Sequence, residues 1–383
     1  MKVAMLGATS ILALTLALPA AAQDIGMPSD NLSAAYTGKA YSPYAKRTFP
    51  ERPLWGDSHL HTSLSMDAGG FGNRVGLRDA YRLARGEEIT ASSGQPVRLS
   101  RPLDWLAITD HSDGMGFIID TLAAIPLVTQ YEQGARWSKG FNAGGQEAVD
   151  TTLDLIGTFS QGKVDPEMFA NYSRGSRRYA TIWEDVIQAA EEFNDPGRFT
   201  KFIGFECTSL VKGGKMHRNV IFRDGADRAS QVVPYKTQAP IGSTDPLDLY
   251  KYLEDYEAKT NGAAMAFSHN GNLSNGIMFP VDAQYTGRKL DKNYVEQRAK
   301  WERMYEITQI KGDGEAHPFL SPNDEFADYG TWDVGNLDLS QAKTKDMLQY
   351  EYAREALKNG LAFEKNLGTN PYKFGVGGAT DSH

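Results

Sequence analysis

Residues 54–70 read LWGDSHLHTSLSMDAGG and place two histidines, His59 and His61, at alternate positions after a short apolar run. The chain has only seven histidines in 383 residues. Successive side chains of a β-strand point to opposite faces, so every second residue shares a face. The pattern therefore predicts a first strand that presents two imidazoles to one side, where both can bind one metal ion.

Outward from this stretch, short apolar segments recur along the chain with the length and composition of strands. Seven segments fit: PLWGDSH (53–59), LDWLAITDH (103–111), FIGFE (202–206), NVIFR (219–223), AAMAFSH (263–269), MYEITQI (304–310) and FGVGGATDSH (374–383). Helical patterns lie between them, at 77–85, at 176–193, from Asp245 and Pro246 onward, and from about 340 to Gly360. Alternation of strands and helices predicts an α/β fold with a parallel sheet, either open or closed into a barrel.

The first 22 residues, MKVAMLGATSILALTLALPAAA, combine an early lysine, an apolar run and small residues at the end. This pattern predicts a cleaved secretory signal peptide over 1–22 and export, with the periplasm as the expected compartment. Residues 23–52 are predicted to be an irregular lead-in, and residues 53–383 the folded body. Within that body, residues 113–175 break the alternation and are predicted to be an insertion that covers a site.

Charge and cysteine content exclude some classes of partner. The formal charge is -8, and loss of Lys2 with the signal peptide changes it to -9, so nonspecific nucleic-acid binding is not expected. Cys207 is the single cysteine and cannot form an internal disulfide. No membrane contact is expected after signal cleavage, and the oligomeric state stays open.

Histidines and carboxylates gather at the predicted strand ends. In an alternating α/β barrel the carboxyl ends of the strands share one pocket. The residues placed there or beside a strand are His59, His61, Asp110, His111, Glu206, His217, His269, Asp381 and His383, with Asp67 following the first strand. Imidazole and carboxylate groups suit zinc, manganese and iron, and the number of ligands is too large for one tetrahedral ion. The sequence therefore predicts a site for two or three divalent ions.

Other polar residues near these ends have expected supporting roles. Asp57, Asp110 and Asp113 are predicted to orient the imidazoles through their second nitrogens. Lys311 is expected to contact an anionic substrate, and His317 to give a proton to the leaving group. Asn270 and Asn272 either present amides to the substrate or shape a turn.

Several motifs together resemble one known family. They are LWGDSHLHTSLSMDA (54–68), RPLDWLAITDHSDGMG (101–116), HNGNLSNG (269–276), QIKGDGEAHPFLSPNDEFADY (309–329) and GGATDSH (377–383). They resemble the PHP superfamily, named for polymerase and histidinol phosphatase domains, and are most similar to an exported branch known as domain of unknown function 3604. The resemblance covers residues 53 to 383.

This resemblance implies a distorted TIM-like barrel of seven βα units with a trinuclear metal site that hydrolyses phosphoesters. The implied ligands are His59, His61, Glu206 and Asp381 for one ion; Glu206, His217 and His269 for the second; and Asp67, His111 and His383 for the third. Many superfamily members carry a histidine at the Asp67 position, so an oxygen there favours a harder ion such as manganese. Relatives continue beyond the motif that ends at His383, which predicts a C-terminally truncated chain with impaired activity.

The expected function is metal-dependent hydrolysis of a small anionic ester, a phosphate monoester or diester, with a metal-bridging hydroxide as nucleophile. Glu206, Lys311 and His317 are the predicted catalytic residues. An amidohydrolase that cleaves amides or lactones is an alternative, although Glu206 stands where that type often has a bridging lysine. A sulfate or phosphonate ester is a further possible substrate, and a periplasmic metal-binding protein without turnover is the alternative from another class.

Overall fold

A computed structural model describes residues 53–383 of the protein, so the predicted signal peptide and lead-in lie outside the described residues. Its strands are β1 (Gly56–Leu60), β2 (Ile89–Thr90), β3 (Pro96–Val97), β4 (Trp105–Ile108), β5 (Thr200–Cys207), β6 (Leu210–Val211), β7 (Gly214–Lys215), β8 (Arg218–Phe222), β9 (Ala264–His269), β10 (Glu302–Gln309), β11 (Gly312–Asp313) and β12 (Gly375–Gly378). Each of the seven predicted strands is confirmed, as β1, β4, β5, β8, β9, β10 and β12.

The helices are α1 (Met66–Gly70), α2 (Leu77–Ala84), α3 (Phe117–Leu122), α4 (Pro126–Thr129), α5 (Glu132–Ala143), α6 (Gly145–Ser160), α7 (Pro166–Ala170), α8 (Arg177–Phe193), α9 (Ala226–Ala229), α10 (Pro246–Thr260), α11 (Lys292–Trp301) and α12 (Ala353–Leu367). Asp245 caps α10 as predicted, since its carboxylate accepts a hydrogen bond from the Leu247 amide at 3.0 Å. None of the helices in the described part is long and apolar enough to span a membrane.

One helix prediction was wrong in its bounds. The segment from 340 to 352 is largely irregular, and α12 begins only at Ala353 and continues through Gly360 to Leu367. Gly360 does not end the helix; it lets the helix approach Asn370, because a Cβ at Gly360 would lie 2.0 Å from the Asn370 side-chain oxygen. The residue that follows the helix is Gly368, with a left-handed φ of 82°.

The predicted distorted TIM-like barrel of seven βα units is wrong. The main sheet has eight strands in the order β1-β4-β5-β8-β9-β10-β11, with β12 also paired to β10, and it curls into an open half-barrel. At the β1 edge, residues 380–383 lie beside the strand, and one isolated β-bridge connects Leu60 to Ser382. The four-residue, glycine-rich β12 has its ladder with β10 instead, so the two edges do not join by a continuous ladder.

The direction of β8 also differs from the predicted parallel sheet. β8 runs antiparallel to both β5 and β9, whereas β1, β4 and β5 are parallel to one another. A parallel pair needs a long crossover, usually a helix, but only the short β6–β7 hairpin separates β5 from β8. As a result, the start of β8 lies at the same edge of the sheet as the carboxyl ends of its neighbours.

The segment 113–175 folds into the helices α3 to α7 and shares the main hydrophobic core. Buried Trp137, Leu155 and Phe159 belong to the same apolar cluster as Leu106 and Ile108 of β4. These helices also pack on α1, where Gly69 and Gly70 permit close approach: a Cβ at Gly69 would lie 2.6 Å from Ile118, and one at Gly70 would lie 3.0 Å from Thr152. The helical segment therefore fixes α1, which carries Asp67.

Candidate metal centre

The paired histidines of β1 lie together in the interior, as the alternation predicts. His59 is fully buried and His61 is 2% exposed, and their Nε2 atoms are 3.1 Å apart. One oxygen of Asp381 lies 3.2 Å from Nε2 of His59 and 3.1 Å from Nε2 of His61. Two nitrogens and one carboxylate oxygen thus converge on one point.

Glu206, at the end of β5, joins the remaining imidazoles. Its Oε1 lies 2.7 Å from Nδ1 of His217 and 2.8 Å from Nε2 of His269. Its Oε2 lies 3.0 Å from Nδ1 of His111 and 3.3 Å from Nε2 of His61. Each oxygen of this buried carboxylate therefore faces a different pair of imidazoles, which is the arrangement a bridging ligand requires. His217 reaches Glu206 because β8 is antiparallel.

Asp67 lies at the more open side of the site. Its Oδ2 is 3.0 Å from Nε2 of His111 and 2.9 Å from Nε2 of His383. The rings of His61 and His383 stack with centroids 4.2 Å apart. The side chains of Asp67 and His383 are 17% and 14% exposed, whereas His59, Glu206 and His269 are fully buried.

The structure therefore brings together all nine predicted metal ligands, which we call the ligand cluster: His59, His61, Asp67, His111, Glu206, His217, His269, Asp381 and His383. Four sets of residues have ligand atoms within 4.8 Å of one another: His61, Asp67, His111 and His383; His59, His61 and Asp381; His59, His269 and Glu306; and His111, Glu206 and His217. These buried groups could hold metal ions. The sets overlap with the predicted assignments but are not identical to them, since Glu306 is new.

Unpaired polar atoms test whether a metal fits this donor set. Within the described residues, four buried atoms of the ligand cluster have no partner in hydrogen-bonding geometry, although three of them lie close to other cluster atoms: Oε2 of Glu206, Nε2 of His217, Nε2 of His269 and Oδ1 of Asp381. Buried polar atoms are normally bonded, because an unsatisfied one costs about 1–3 kcal/mol. Imidazole nitrogens and carboxylate oxygens that face each other without hydrogen bonds are the donors that a divalent ion takes up.

Two buried carboxylates of the ligand cluster have lowered pKa values, which favours their ionised, cation-binding form. Burial raises the pKa of Glu206, but the neighbouring His111, His217 and His269 outweigh it and hold that pKa well below its usual range. Burial likewise raises the pKa of Asp381, while His59, Lys215 and Lys311 bring it well below the ordinary value.

The imidazoles fall into two groups. Burial lowers the pKa of His61 and of His217 to about 3, so both are neutral ligands at physiological pH. Burial also acts to lower the pKa of His59, but the nearby carboxylates of Asp381 and Glu306 outweigh it and raise that pKa to about 10. In the same way, Asp67 and Glu206 raise the pKa of His111 to about 10 against the effect of burial. A metal ion would therefore displace protons from His59 and His111, which makes metal binding pH-dependent.

The residues that orient the imidazoles are not the predicted ones. Asp57, Asp110 and Asp113 bond to Thr380, Thr62 and Thr237, and each of these contacts involves a backbone amide or a hydroxyl. The second ring nitrogens instead meet Glu306 for His59, Ser65 for His61 and Asn270 for His269, at 2.8 to 3.2 Å. Nδ1 of His111 lies 3.0 Å from both the Thr208 hydroxyl and Oε2 of Glu206. Turn-forming aspartates next to a ligand were thus misinterpreted as its supports.

Two charged residues of the site were missed in the sequence. Glu306, on β10, places both carboxylate oxygens 3.1 Å from Nδ1 of His59. Lys215, on β7, lies 3.5 Å from Asp381 and donates to the Asn270 side chain at 2.9 Å. The available signal was a glutamate inside the apolar run MYEITQI, since such a residue has to face either solvent or a polar site.

The two remaining predicted catalytic residues have different surroundings. Lys311 forms an ion pair with Asp381 and so belongs to the site. His317 bonds to Asp333 at 2.9 Å and packs against the Tyr352 ring, and none of its contacts is with the ligand cluster. Asn270 contacts Lys215 and His269, whereas Asn272 bonds the Lys311 carbonyl at 3.5 Å. The proton-donor role of His317 stays a prediction without geometric support.

Replacing Glu306 with glutamine is expected to weaken metal binding. The amide keeps the volume but loses the charge that holds the His59 ring, and such supporting contacts typically change metal affinity by about 10–100-fold. Competition with a chromogenic chelator measures the affinity. Glu296→Gln, an exposed glutamate on α11, is the matched control and should bind metal like the unmodified protein. Equal affinity in both variants would contradict the role of Glu306.

Comparison with known proteins places the chain in a group without an assigned activity. Residues 48–383 match a family model described as "Protein of unknown function (DUF3604)". No curated protein and no solved structure matches the chain.

Proposed function

The chain belongs to the DUF3604 family, and we propose that it is a metal-dependent hydrolase of phosphate esters that uses two or three divalent ions. The observation that carries this proposal is Glu206, a buried carboxylate whose two oxygens face separate sets of imidazoles. Adjacent ions that share a bridging carboxylate are typical of enzymes that cleave phosphate esters. The resemblance of the motifs to the PHP superfamily supports the same activity.

The residues of this chain would hold the ions as follows. His59, His61 and Asp381 form one set, His111, Glu206 and His217 a second, and Asp67 with His383 extends the cluster toward solvent. Manganese, zinc and iron all accept such nitrogen and oxygen donors. When bound, divalent ions lower the pKa of water and neutralise the charge on a phosphoryl group.

The open side of the cluster favours an anionic substrate. Lys311, with a side chain 28% exposed, and the buried Lys215 both point an ammonium group at Asp381. Lys215 also bonds Asn270, so its position is fixed. Ammonium groups held beside this carboxylate add positive charge where an ester oxyanion would lie. Because they are already in position, they can stabilise that oxyanion without rearrangement.

Metal analysis followed by substrate assays tests the proposal. The purified chain should contain at least one equivalent of manganese, zinc or iron by elemental analysis. It should hydrolyse 4-nitrophenyl phosphate or bis(4-nitrophenyl) phosphate, lose that activity after chelation, and recover it when metal is restored. Chromogenic sulfate esters, phosphonate esters and lactones complete the panel of substrates.

The outcomes separate the alternatives. Turnover of a lactone or sulfate ester with no turnover of either phosphate ester would overturn the phosphoesterase proposal while keeping a metal hydrolase. Bound metal without turnover of any substrate in the panel would favour a metal-binding protein.

A further inference from the structure

A second cavity lies apart from the metal centre. It has a volume of about 740 Å³ and is enclosed by the first turn of α8, the segment 230–241 and one side of α10. None of the residues of the ligand cluster lines it. Its size falls within the range of about 300–1,000 Å³ that holds small molecules in proteins.

The floor of this cavity contains a buried lysine, and burial lowers the pKa of its ammonium group to about 7 although Asp113 opposes the shift. Lys236 is 5% exposed; its ammonium group donates to the Ser112 carbonyl and lies 3.9 Å from the centre of the Tyr179 ring. No carboxylate of the described residues is within ion-pair distance of it, and the oxygens of the nearby Asp113 bond to Thr237. An anion bound beside this lysine would favour its charged form, because burying an ion without a counter-ion is costly.

The rim adds two more positive charges without partners. Arg174 and Arg177 are exposed and make no ion pair or hydrogen bond with another described side chain. Of the other charged residues in the lining, Lys251 is neutralised by Asp255, and Lys259 donates to the Gln231 carbonyl at 2.6 Å. Asp248 is the remaining acid. Apart from Lys236, the lining has four cationic and two anionic side chains, so the cavity has an excess of positive charge.

The walls of the cavity include two tyrosine rings. Tyr235 and Tyr252 line the cavity with ring centroids 5.6 Å apart. Their hydroxyl groups already donate to the carbonyls of Ser243 and Val233, at 3.0 and 2.9 Å. What they offer to a ligand is therefore an apolar, aromatic face, next to Val232 and Pro234.

We propose that this cavity binds a small organic anion, with a carboxylate or phosphate-like head between Lys236 and the two arginines and a flat or aromatic body against the tyrosines. The head is the counter-anion of the two arginines, and beside Lys236 it favours the charged form of that lysine. Guanidinium groups bind such heads through paired hydrogen bonds. Anion binding in this cavity requires neither bound metal nor hydrolysis, so it can be tested independently of the proposed function.

Phenylphosphonate, an aromatic dianion that a phosphoesterase does not hydrolyse, is the probe, and isothermal titration calorimetry of the full chain measures its binding. We expect one site, and we expect Arg174→Ala/Arg177→Ala to weaken it roughly tenfold or more. Arg98→Ala/Arg101→Ala removes two exposed arginines outside the cavity and should leave the affinity unchanged. Lys236→Met should also weaken binding, but the arginine pair carries the test because those residues are exposed and the variant should fold.

The metal centre could also attract a phosphonate, so Glu206→Gln is titrated in parallel. Retained binding in Glu206→Gln together with loss in the arginine variant supports the cavity. The proposal is overturned if the unmodified chain shows no binding at about 10 mM probe, if the arginine variant binds as the unmodified chain does, or if binding disappears only in Glu206→Gln.

Discussion

Under the proposed metal-hydrolase function, replacing Glu206 with glutamine is expected to weaken metal binding in the ligand cluster and to lower turnover sharply. The carboxylate is fully buried and both of its oxygens contact imidazoles. Glutamine has nearly the same shape, but it lacks the negative charge and presents an NH₂ donor where one of these oxygens lies. We expect kcat/KM to fall on the order of 10³-fold, about 4 kcal/mol of transition-state stabilisation.

Elemental analysis and kinetics are measured on the same preparation, with His59→Ala as a second variant that should show the same loss. Asp120→Asn is the control, because Asp120 is a buried carboxylate paired with Arg178, outside the ligand cluster. That variant should lose stability but keep its metal and its kcat. Unchanged metal content and rates in both Glu206→Gln and His59→Ala would rule out the site as the centre of catalysis.

The convergence of the ligands could be predicted because it depends on local rules. Alternate residues of a strand share a face, so HLH indicated that His59 and His61 point the same way. Strand ends are marked by the change from apolar to polar residues, which placed His111, Glu206 and His269 correctly. These features need no knowledge of which strands pair.

The features that were mispredicted depend on long-range pairing. Neither the open edge between β1 and the chain end nor the reversed direction of β8 is specified by hydrophobic periodicity, which is similar in parallel and antiparallel strands. The support of His59 by Glu306 joins β1 to β10 and spans 247 residues. Local sequence cannot show such a contact, so nearby Asp57 was assigned the supporting role instead.

The largest change in stability is expected at a buried ionic group behind the sheet. Glu302 accepts from Nε of Arg218 at 2.9 Å, lies 3.1 Å from Nη2 of Arg298, and accepts from the hydroxyls of Ser268 and Tyr250. Both guanidinium groups are about 1% exposed. Glu302→Gln would leave two buried cations without a counter-ion, which should cost about 3–5 kcal/mol of unfolding free energy.

The pH dependence of unfolding provides a second measurement on the same residue. Burial raises the pKa of Glu302, but Arg218 and Arg298 outweigh it and hold the pKa at about 2. Because the folded pKa is depressed, this stabilisation is complete above the unfolded value of about 4.3 and is lost as the pH falls toward 2. Urea unfolding of the unmodified chain should show this loss, and Glu302→Gln should show a smaller one, because the depressed pKa values of Glu206 and Asp381 still contribute.

Glu192→Gln is the matched control, since it removes one of the two carboxylate partners of Arg78 from an ion pair of 2.7 Å on the surface. Its side chains are 42% and 38% exposed, and water replaces the lost contact, so the expected change is below about 1 kcal/mol. The contrast between the two variants isolates the effect of burial, because charge and shape change equally in both. If Glu302→Gln lowers the free energy of unfolding by no more than Glu192→Gln does, the charges of the buried Arg218 and Arg298 must be balanced by groups other than Glu302.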